Sequence, residues 1–256
     1  MTLSQLDLST EFASRRVLVT GGSRGIGAAV AQRLLDAGAT VVVTARSTRA
    51  ETPAGATFVA GDLSTEAGAK AVGAQALDAL GGLDILVNNA GGTRVHGRGS
   101  EAIPDAEWVD ALDVNFLSAV RLTYAVLPAL RAGTSASIIN VSAGGLLPFG
   151  GPVAHYGAAK AALNSFSRSL AKELAPARIR VNIVTPGSVI TPGGDAGREQ
   201  LIASLGLTPE AFFARVPLGR AGRAAEVAEM IAFLVSPRGE WITGHNHFVD
   251  GGWGAL

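Results

Sequence analysis

Short apolar runs rich in β-branched residues alternate along the chain with longer segments whose apolar residues recur at helical spacing. Strands are predicted at 17–20, 40–44, 57–60, 84–87, 137–141, 179–184 and 248–249. Helices are predicted at 26–37, 64–80 with Ser64 as N-cap, about 104–131, 153–174 and 224–235. Apolar strands that alternate with helices are typical of a parallel sheet covered on both faces, joined by right-handed crossovers. The pattern therefore predicts an α/β fold with a doubly wound (Rossmann-type) parallel sheet of about seven strands and helices on both faces.

The chain of 256 residues has the length of one large α/β domain. No linker divides it, so residues 1–256 are predicted to form a single Rossmann-type domain. The segment at about 188–215 begins with a run rich in Gly, Pro, Ser and Thr, and long loops are usually functional or disordered. We expect a flexible substrate loop with a short helix there.

Composition and charge exclude several classes of protein. Hydrophobic residues make up 48% of the chain and charged residues 16%, which excludes global disorder, and the lack of cysteine excludes a disulfide scaffold. The 21 basic and 21 acidic residues cancel, so the charge favours neither a nucleic acid nor a membrane surface as partner. The first 16 residues lack the apolar core of a signal peptide, and the uncharged stretch 132–159 contains six glycines and two prolines. The expected location is therefore the cytoplasm.

A glycine-rich turn follows the first predicted strand, where Gly21, Gly25 and Gly27 have the spacing G-x-x-x-G-x-G. Glycine at such positions permits a tight turn, a close approach of the backbone to a pyrophosphate, and close packing of helix on strand. The helix N-terminus that follows offers free N–H groups to phosphate. The cofactor-binding residues predicted in this turn are Gly21, Ser23, Arg24, Gly25, Ile26 and Gly27.

The end of the second strand indicates which dinucleotide binds. It lacks the carboxylate that holds the ribose 2′-hydroxyl in NAD sites, and Arg46 occupies that region instead. Arg24 lies inside the glycine turn, and two guanidinium groups suit a ribose 2′-phosphate. NADP(H) is therefore the predicted cofactor, with NAD(H) as the weaker alternative.

Three further residues suggest acid–base chemistry. Tyr156 and Lys160 are four positions apart, so they share one face of the predicted helix, and Lys160 is one of only three lysines in the chain. A nearby cation lowers the pKa of a phenol, which makes the pair a candidate general acid/base with its tuning group. Ser142 follows the fifth strand at its carboxyl end, where open α/β sheets bind ligands. Its hydroxyl could hydrogen-bond a carbonyl or alkoxide oxygen.

Together these motifs make the chain similar to the short-chain dehydrogenase/reductase family, and in particular to its 3-oxoacyl-[acyl-carrier-protein] reductase-like members. The resemblance runs from about Arg16 to Gly252. Its motifs, in family order, are Thr20-Gly21-x-x-x-Gly25-x-Gly27, Asp62-Leu63, Asn88-Asn89-Ala90-Gly91, Asn115, Ser142, Tyr156-x-x-x-Lys160, Pro186-Gly187 and Val249-Asp250-Gly251-Gly252.

The resemblance implies a catalytic role for four of these residues. Tyr156 would exchange a proton with the substrate oxygen that Ser142 holds. Lys160 would lower the pKa of Tyr156 and bind the nicotinamide ribose, and Asn115 would position a water behind Lys160. Further cofactor contacts are implied for Asp62 and Leu63 at the adenine, for Asn89, Ala90 and Gly91 along the cofactor, and for Pro186, Gly187, Val189 and Thr191 at the nicotinamide. A homotetramer is the implied assembly, with a dimer next.

Three functions remain open at this point. The first is an NADP(H)-dependent carbonyl reductase or alcohol dehydrogenase acting on a small molecule. The second is a 3-oxoacyl-thioester reductase, which would need a basic patch for an acidic carrier protein, with Arg121, Arg131, Arg168 and Arg178 as candidates. The third is a non-catalytic cofactor-binding protein, a class that typically lacks the tyrosine or the lysine. No metal site is predicted, because the His245-x-His247 pair has no evident third ligand.

Overall fold

The structure is a computed structural model that describes residues 8–133, 135–143, 151–192 and 194–255. Its strands are β1 (Arg16–Thr20), β2 (Thr40–Ala45), β3 (Thr57–Ala60), β4 (Ile85–Asn88), β5 (Ala136–Val141), β6 (Ile179–Pro186), β7 (Val189–Ile190), β8 (Gly222–Arg223) and β9 (Asn246–Val249). Its helices are α1 (Gly25–Asp36), α2 (Glu66–Leu80), α3 (Asp105–Leu112), α4 (Ser118–Ala132), α5 (Ala154–Leu174), α6 (Asp195–Ser204), α7 (Pro209–Phe213) and α8 (Ala224–Val235).

Seven strands form one parallel sheet in the order β3-β2-β1-β4-β5-β6-β9. The predicted doubly wound parallel sheet is therefore confirmed. The order runs outward in opposite directions from β1 and β4, so the switch point lies between the carboxyl ends of these two strands. Ligands of open α/β sheets bind in the crevice at such a point.

Alternate residues of each strand feed two apolar cores, one on each face of the sheet. On β1, Val17 and Val19 pack with α1 and α8, while Leu18 packs with α2, α4 and α5. Burial on both faces explains why the strands are continuous apolar runs rather than alternating ones. No helix in the described part of the chain is long and apolar enough to cross a membrane.

A row of buried polar side chains links the centre of the sheet to two helices. Asn88 Nδ2 donates to Thr123 Oγ1 of α4 (3.0 Å) and to Asn140 Oδ1 of β5 (2.9 Å). Asn140 Nδ2 donates to Ser167 Oγ of α5 (2.7 Å), whose hydroxyl donates to the carbonyl of Leu163 (2.6 Å). These bonds lie within the apolar core, so they fix the positions of α4 and α5 relative to β4 and β5.

Three local features differ from the sequence prediction. The N-cap of α2 is Thr65, not Ser64: the Thr65 hydroxyl accepts the Gly68 N–H, while Ser64 donates its own N–H to Asp62. The long helix predicted at 104–131 is interrupted by a π-helical turn over Asp113–Leu117. The segment at 188–215 contains β7, α6 and α7 rather than one short helix, and its flexibility stays a prediction.

Candidate active site

The glycine turn and the end of β4 are joined by one threonine and one asparagine. Thr20 Oγ1 accepts the backbone N–H groups of Asn89 and Ala90, both at 2.9 Å. Asn89 Nδ2 donates in return to the carbonyls of Thr20 (2.9 Å) and Gly21 (3.3 Å). The predicted residues Asn89 and Ala90 thus hold the turn against β4 at the switch point.

The turn itself needs glycine for space and for backbone conformation. Gly21 and Gly25 have φ of +64° and +58°, which side chains rarely adopt. A Cβ on Gly27 would lie 2.3 Å from the carbonyl oxygen of Gly21. Arg24 precedes α1 without capping it by its side chain, and its φ is extended. The first N–H groups of α1 therefore point at the crevice without a side-chain cap, which fits a bound pyrophosphate.

Two exposed arginines lie at this end of the crevice, as the sequence predicts. Among the described residues, the side chains of Arg24 and Arg46 form no hydrogen bond or ion pair, so both guanidinium groups are available to a ligand. Asp62 accepts the N–H of Ser64, and this bond lowers the pKa of the Asp62 carboxyl, with Arg46 adding to the effect. Leu63 is buried behind Asp62. These groups form a rim with both donors and an acceptor beside the end of β2.

Asn115 is buried within the π-helical turn and binds the segment that follows β4. Its Oδ1 accepts the N–H of Gly92 (2.9 Å), and its Nδ2 donates to the carbonyls of Gly92 (2.8 Å) and Ala111 (3.1 Å). A Cβ on Gly91 would lie 2.8 Å from Asn115 Oδ1 and 3.4 Å from Lys160 Nζ. Gly91 therefore lies between Asn115 and Lys160, and a hydrogen is all that fits there.

Lys160 and Ser142 meet at the carboxyl end of β5. Lys160 is 4% exposed, and its Nζ donates to the carbonyl of Val141 (2.9 Å) and lies 5.9 Å from the centre of the Tyr156 ring. Ser142 is buried, its N–H donates to the carbonyl of Val184, and its Oγ has no hydrogen-bond partner among the described residues. An orphaned buried hydroxyl next to a buried ammonium fits a site that receives a polar ligand oxygen.

The pKa values of the tyrosine and lysine move in opposite directions. Burial of the hydroxyl end raises the pKa of Tyr156 to about 12, although the residue as a whole is partly exposed. Burial also lowers the pKa of Lys160 to about 8. The predicted lowering of the Tyr156 pKa by Lys160 is therefore wrong for this structure. The ammonium lies beside the ring and donates to Val141, so desolvation of the phenolate dominates.

The predicted nicotinamide contacts lie at and after the end of β6, between the C-terminal segment and the glycine turn. Gly187, which follows the buried Pro186, donates its N–H to the carbonyl of Val249 (3.0 Å). A Cβ on Gly187 would lie 2.8 Å from Asp250 Cα, so this glycine is in close contact with the C-terminal segment. Val189 is buried in the short β7–β8 pair. A Cβ on Gly25 would lie 3.2 Å from Thr191 Cβ, which brings Thr191 to the turn.

Sequence reasoning missed one cluster near this site. His96, Glu107 and His155 come from the loop after β4, from α3 and from α5, and their side chains lie close to one another. His155 is only 2% exposed. Their wide sequence separation leaves no spacing signal that could have found them.

A doubly wound sheet with a phosphate-binding turn at its switch point, and a buried Ser–Lys pair with Tyr156 beside it, define a class of dinucleotide-binding oxidoreductases. Comparison with known proteins narrows the class. The profile of the family described as Enoyl-(Acyl carrier protein) reductase matches residues 21–254.

Relatives match nearly the whole chain. The rhamnolipids biosynthesis 3-oxoacyl-[acyl-carrier-protein] reductase of Pseudomonas aeruginosa is 39% identical over 94% of this chain and 96% of its own. The 3-oxoacyl-[acyl-carrier-protein] reductase FabG of Escherichia coli is 37% identical over 94% and 98%. Among solved structures, the Pseudomonas aeruginosa RhlG/NADP active-site complex matches with a TM-score of 0.84 and 35% identity, over 97% of this chain and 99% of that one. The chain belongs to the short-chain dehydrogenase/reductase family of oxidoreductases.

The low pKa of Lys160 predicts a pH-dependent stability. Between its folded pKa of about 8 and its ordinary 10.5, the unfolded chain binds the lysine proton and the folded chain does not, so stability rises with pH. From about pH 7.5 to about pH 9.5, the free energy of unfolding of the wild type should rise by about 2 kcal/mol relative to Lys160→Met. Urea unfolding of the two ligand-free proteins at each pH measures this difference in the free energy of unfolding.

The matched control is Lys172→Met, which removes an exposed lysine from the same helix and should track the wild type at every pH. Parallel pH curves for the wild type and Lys160→Met would contradict a buried, partly neutral lysine.

Proposed function

We propose that the chain is an NADP(H)-dependent oxidoreductase that interconverts a carbonyl and a secondary alcohol, with Tyr156 as the general acid/base. The observation that carries the proposal is the set of groups around Lys160: its Nζ lies 5.9 Å from the centre of the Tyr156 ring, donates to Val141 next to Ser142, and lies across Gly91 from Asn115. Bound NADP(H) would supply or accept the hydride. Its phosphates fit the uncapped N-terminus of α1.

The side chains divide the remaining chemistry between them. The buried Ser142 hydroxyl holds the substrate oxygen, and Tyr156 donates a proton to that oxygen in the reductive direction. With a pKa of about 12, Tyr156 carries the proton that it would donate at neutral pH. Lys160, with a pKa of about 8, lies 5.9 Å from the centre of the Tyr156 ring, where its positive charge would offset part of the burial that disfavours the phenolate. Asn115 fixes the segment that carries Gly91 against Lys160.

NADP(H) is favoured over NAD(H) by charge at the adenosine end. Arg24 and Arg46 are exposed and without an ion-pair partner among the described residues, and the residue at the end of β2 is not acidic. A relative of 35% identity was solved as an NADP complex. We place the adenine against Asp62 and Leu63, and the nicotinamide against Pro186, Gly187, Val189 and Thr191.

The proposal extends to the domain organisation, the assembly and the location of the protein. Residues 1–256 would act as one domain, with 188–215 as the loop over the substrate. Exposed Tyr124 on α4 packs edge to face on Phe166 of α5, which supports assembly through these helices into a homotetramer, or into a dimer. The balanced charge supports a cytoplasmic enzyme of a small molecule, without a nucleic acid or membrane partner.

A second candidate function is reduction of a 3-oxoacyl thioester, which the names of the curated relatives favour. The four candidate arginines do not form one basic patch that could bind an acidic carrier protein. Arg121 is engaged by Asp113 (2.8 Å) and by the carbonyl of Ser64. Arg131 and Arg178 lie at helix C-termini, and in a parallel sheet these ends face the edge opposite the catalytic one. Only Arg168, midway along α5, is both exposed and away from that edge.

Tyr156→Phe should lower kcat for NADPH-dependent carbonyl reduction by about 10²- to 10⁴-fold, because it removes the acidic proton and leaves the ring in place. The Kd for NADPH, followed by fluorescence, should change less than about twofold. The chain has only one other tyrosine, so Tyr124→Phe is the matched control and should keep full activity. Undiminished turnover in Tyr156→Phe would reject the assignment.

Arg24→Ala and Arg46→Ala should each weaken NADPH binding by about 10- to 100-fold, because each removes a charge-assisted bond to a phosphate. The Kd for NADH should stay within about twofold, since that ligand lacks the phosphate. Arg131→Ala removes an equally exposed arginine far from the crevice and serves as control. A wild-type Kd lower for NADH than for NADPH would refute the cofactor assignment.

The two candidate functions can be distinguished by presenting one acyl group on two different carriers. The same 3-oxoacyl chain is offered on an acyl carrier protein and on a short thioester mimic, and NADPH oxidation is followed. A carrier-dependent reductase should show a kcat/KM at least about tenfold higher with the carrier, because the carrier surface adds binding energy. Equal kcat/KM, together with faster reduction of unrelated aldehydes or ketones, favours the small-molecule enzyme.

A further inference from the structure

Three side chains with metal-binding chemistry converge from separate segments, and one of them, His155, directly precedes Tyr156 in the sequence. His96 lies in the loop after β4, Glu107 on α3, and His155 in the first turn of α5. One possible ligand atom from each lies within 4.8 Å of the other two. The two imidazole rings meet edge to face, with their centres 5.4 Å apart, and Trp108 packs on His155 at 6.2 Å.

Each imidazole has a buried nitrogen that lacks a hydrogen-bond partner among the described residues: Nε2 of His96 and Nδ1 of His155. An unpartnered buried polar atom is costly, by about 1–3 kcal/mol, and therefore calls for a ligand. Burial, followed by the neighbouring His96, lowers the pKa of His155. Metal coordination requires the neutral form of an imidazole, and the lowered pKa favours that form.

We propose that His96, Glu107 and His155 bind a zinc ion, with the fourth position open to water. Two imidazoles and one carboxylate are a donor set that zinc prefers, and the chain has no cysteine to offer a competing thiolate site. Tetrahedral zinc with bonds of about 2.0–2.1 Å separates its ligands by about 3.4 Å. The three ligand atoms must therefore close by at most about 1.4 Å, a movement within reach of side-chain rotation.

Glu107 also forms an ion pair with Arg94, whose side chain is 71% exposed. Exposed ion pairs contribute little, about 0–1 kcal/mol, so the carboxylate is not locked into this contact. The Arg94 guanidinium nevertheless competes with a metal cation for the Glu107 carboxylate, and its positive charge repels that cation. Arg94 should therefore weaken zinc binding, and its removal should tighten it. A cluster that serves only for packing would not show this effect.

Zinc at this site would tie the loop after β4 to α3 and α5. The loop is already attached to the turn before α5 by a hydrogen bond from His96 N to the carbonyl of Pro152 (2.9 Å). His155 is the neighbour of Tyr156 in sequence, so the bound ion would hold the loop at the wall of the active site. The site is thus a structural tie, distinct from the groups that carry out hydride and proton transfer.

The test uses the full chain without an affinity tag, titrated with Zn²⁺ against a chromophoric chelator. The expected result is one zinc ion per chain and a higher Tm in its presence, since a ligand that binds only the folded state stabilises it. His96→Gln and Glu107→Gln should each weaken binding at least about tenfold. Arg94→Ala should tighten it. Co²⁺ should give the visible absorption of a tetrahedral site in the wild type and not in His96→Gln.

The four histidines of the chain provide a matched control. His245→Gln with His247→Gln removes the other two imidazoles, whose centres are 6.4 Å apart, and should leave zinc binding unchanged. The proposal is overturned if the wild type binds no zinc, or if binding survives His96→Gln and is lost in the His245/His247 double variant. Weaker zinc binding in Arg94→Ala would also count against Glu107 as a ligand.

Discussion

The positions of the proposed catalytic side chains depend on the buried row of hydrogen bonds from Thr123 through Asn88 and Asn140 to Ser167. Each member lies in an apolar core, where an unmade bond is costly, so the row tolerates only one arrangement of strands and helices. It fixes α4, which continues the turn that holds Asn115, and α5, which carries Tyr156 and Lys160. The site is therefore positioned by the interior of the protein rather than by its loops.

Much of this architecture follows from local sequence. Continuous β-branched runs specify strands that are buried on both faces, and their alternation with helices leaves only a parallel, doubly wound sheet. The glycine turn and the residues at strand ends share one edge of that sheet for the same reason. Placement of Asn89, Gly91, Lys160 and Ser142 around the switch point was accordingly predictable without any distance information.

Features that depend on three-dimensional packing could not be predicted. The π-helical turn at Asp113–Leu117 has helical composition, and only the bonds from Asn115 to Gly92 show why the backbone widens there. The raised pKa of Tyr156 results from burial of its hydroxyl, which the four-residue spacing to Lys160 does not reveal. The cluster of His96, Glu107 and His155 joins residues up to 59 positions apart in the numbering, so no local pattern reveals it.

The paired bonds between Asn115 and Gly92 have a consequence for how such a chain can change. They anchor the start of the loop on the same residue that braces Gly91 against Lys160, so displacement further along the loop is not transmitted back to the lysine. Residues 93–95, which lie between this anchor and the bond from His96 N to the Pro152 carbonyl, can then be exchanged as a cassette while Lys160 keeps its position. Changes in that cassette could therefore alter which substrate binds without any change in the residues around Lys160.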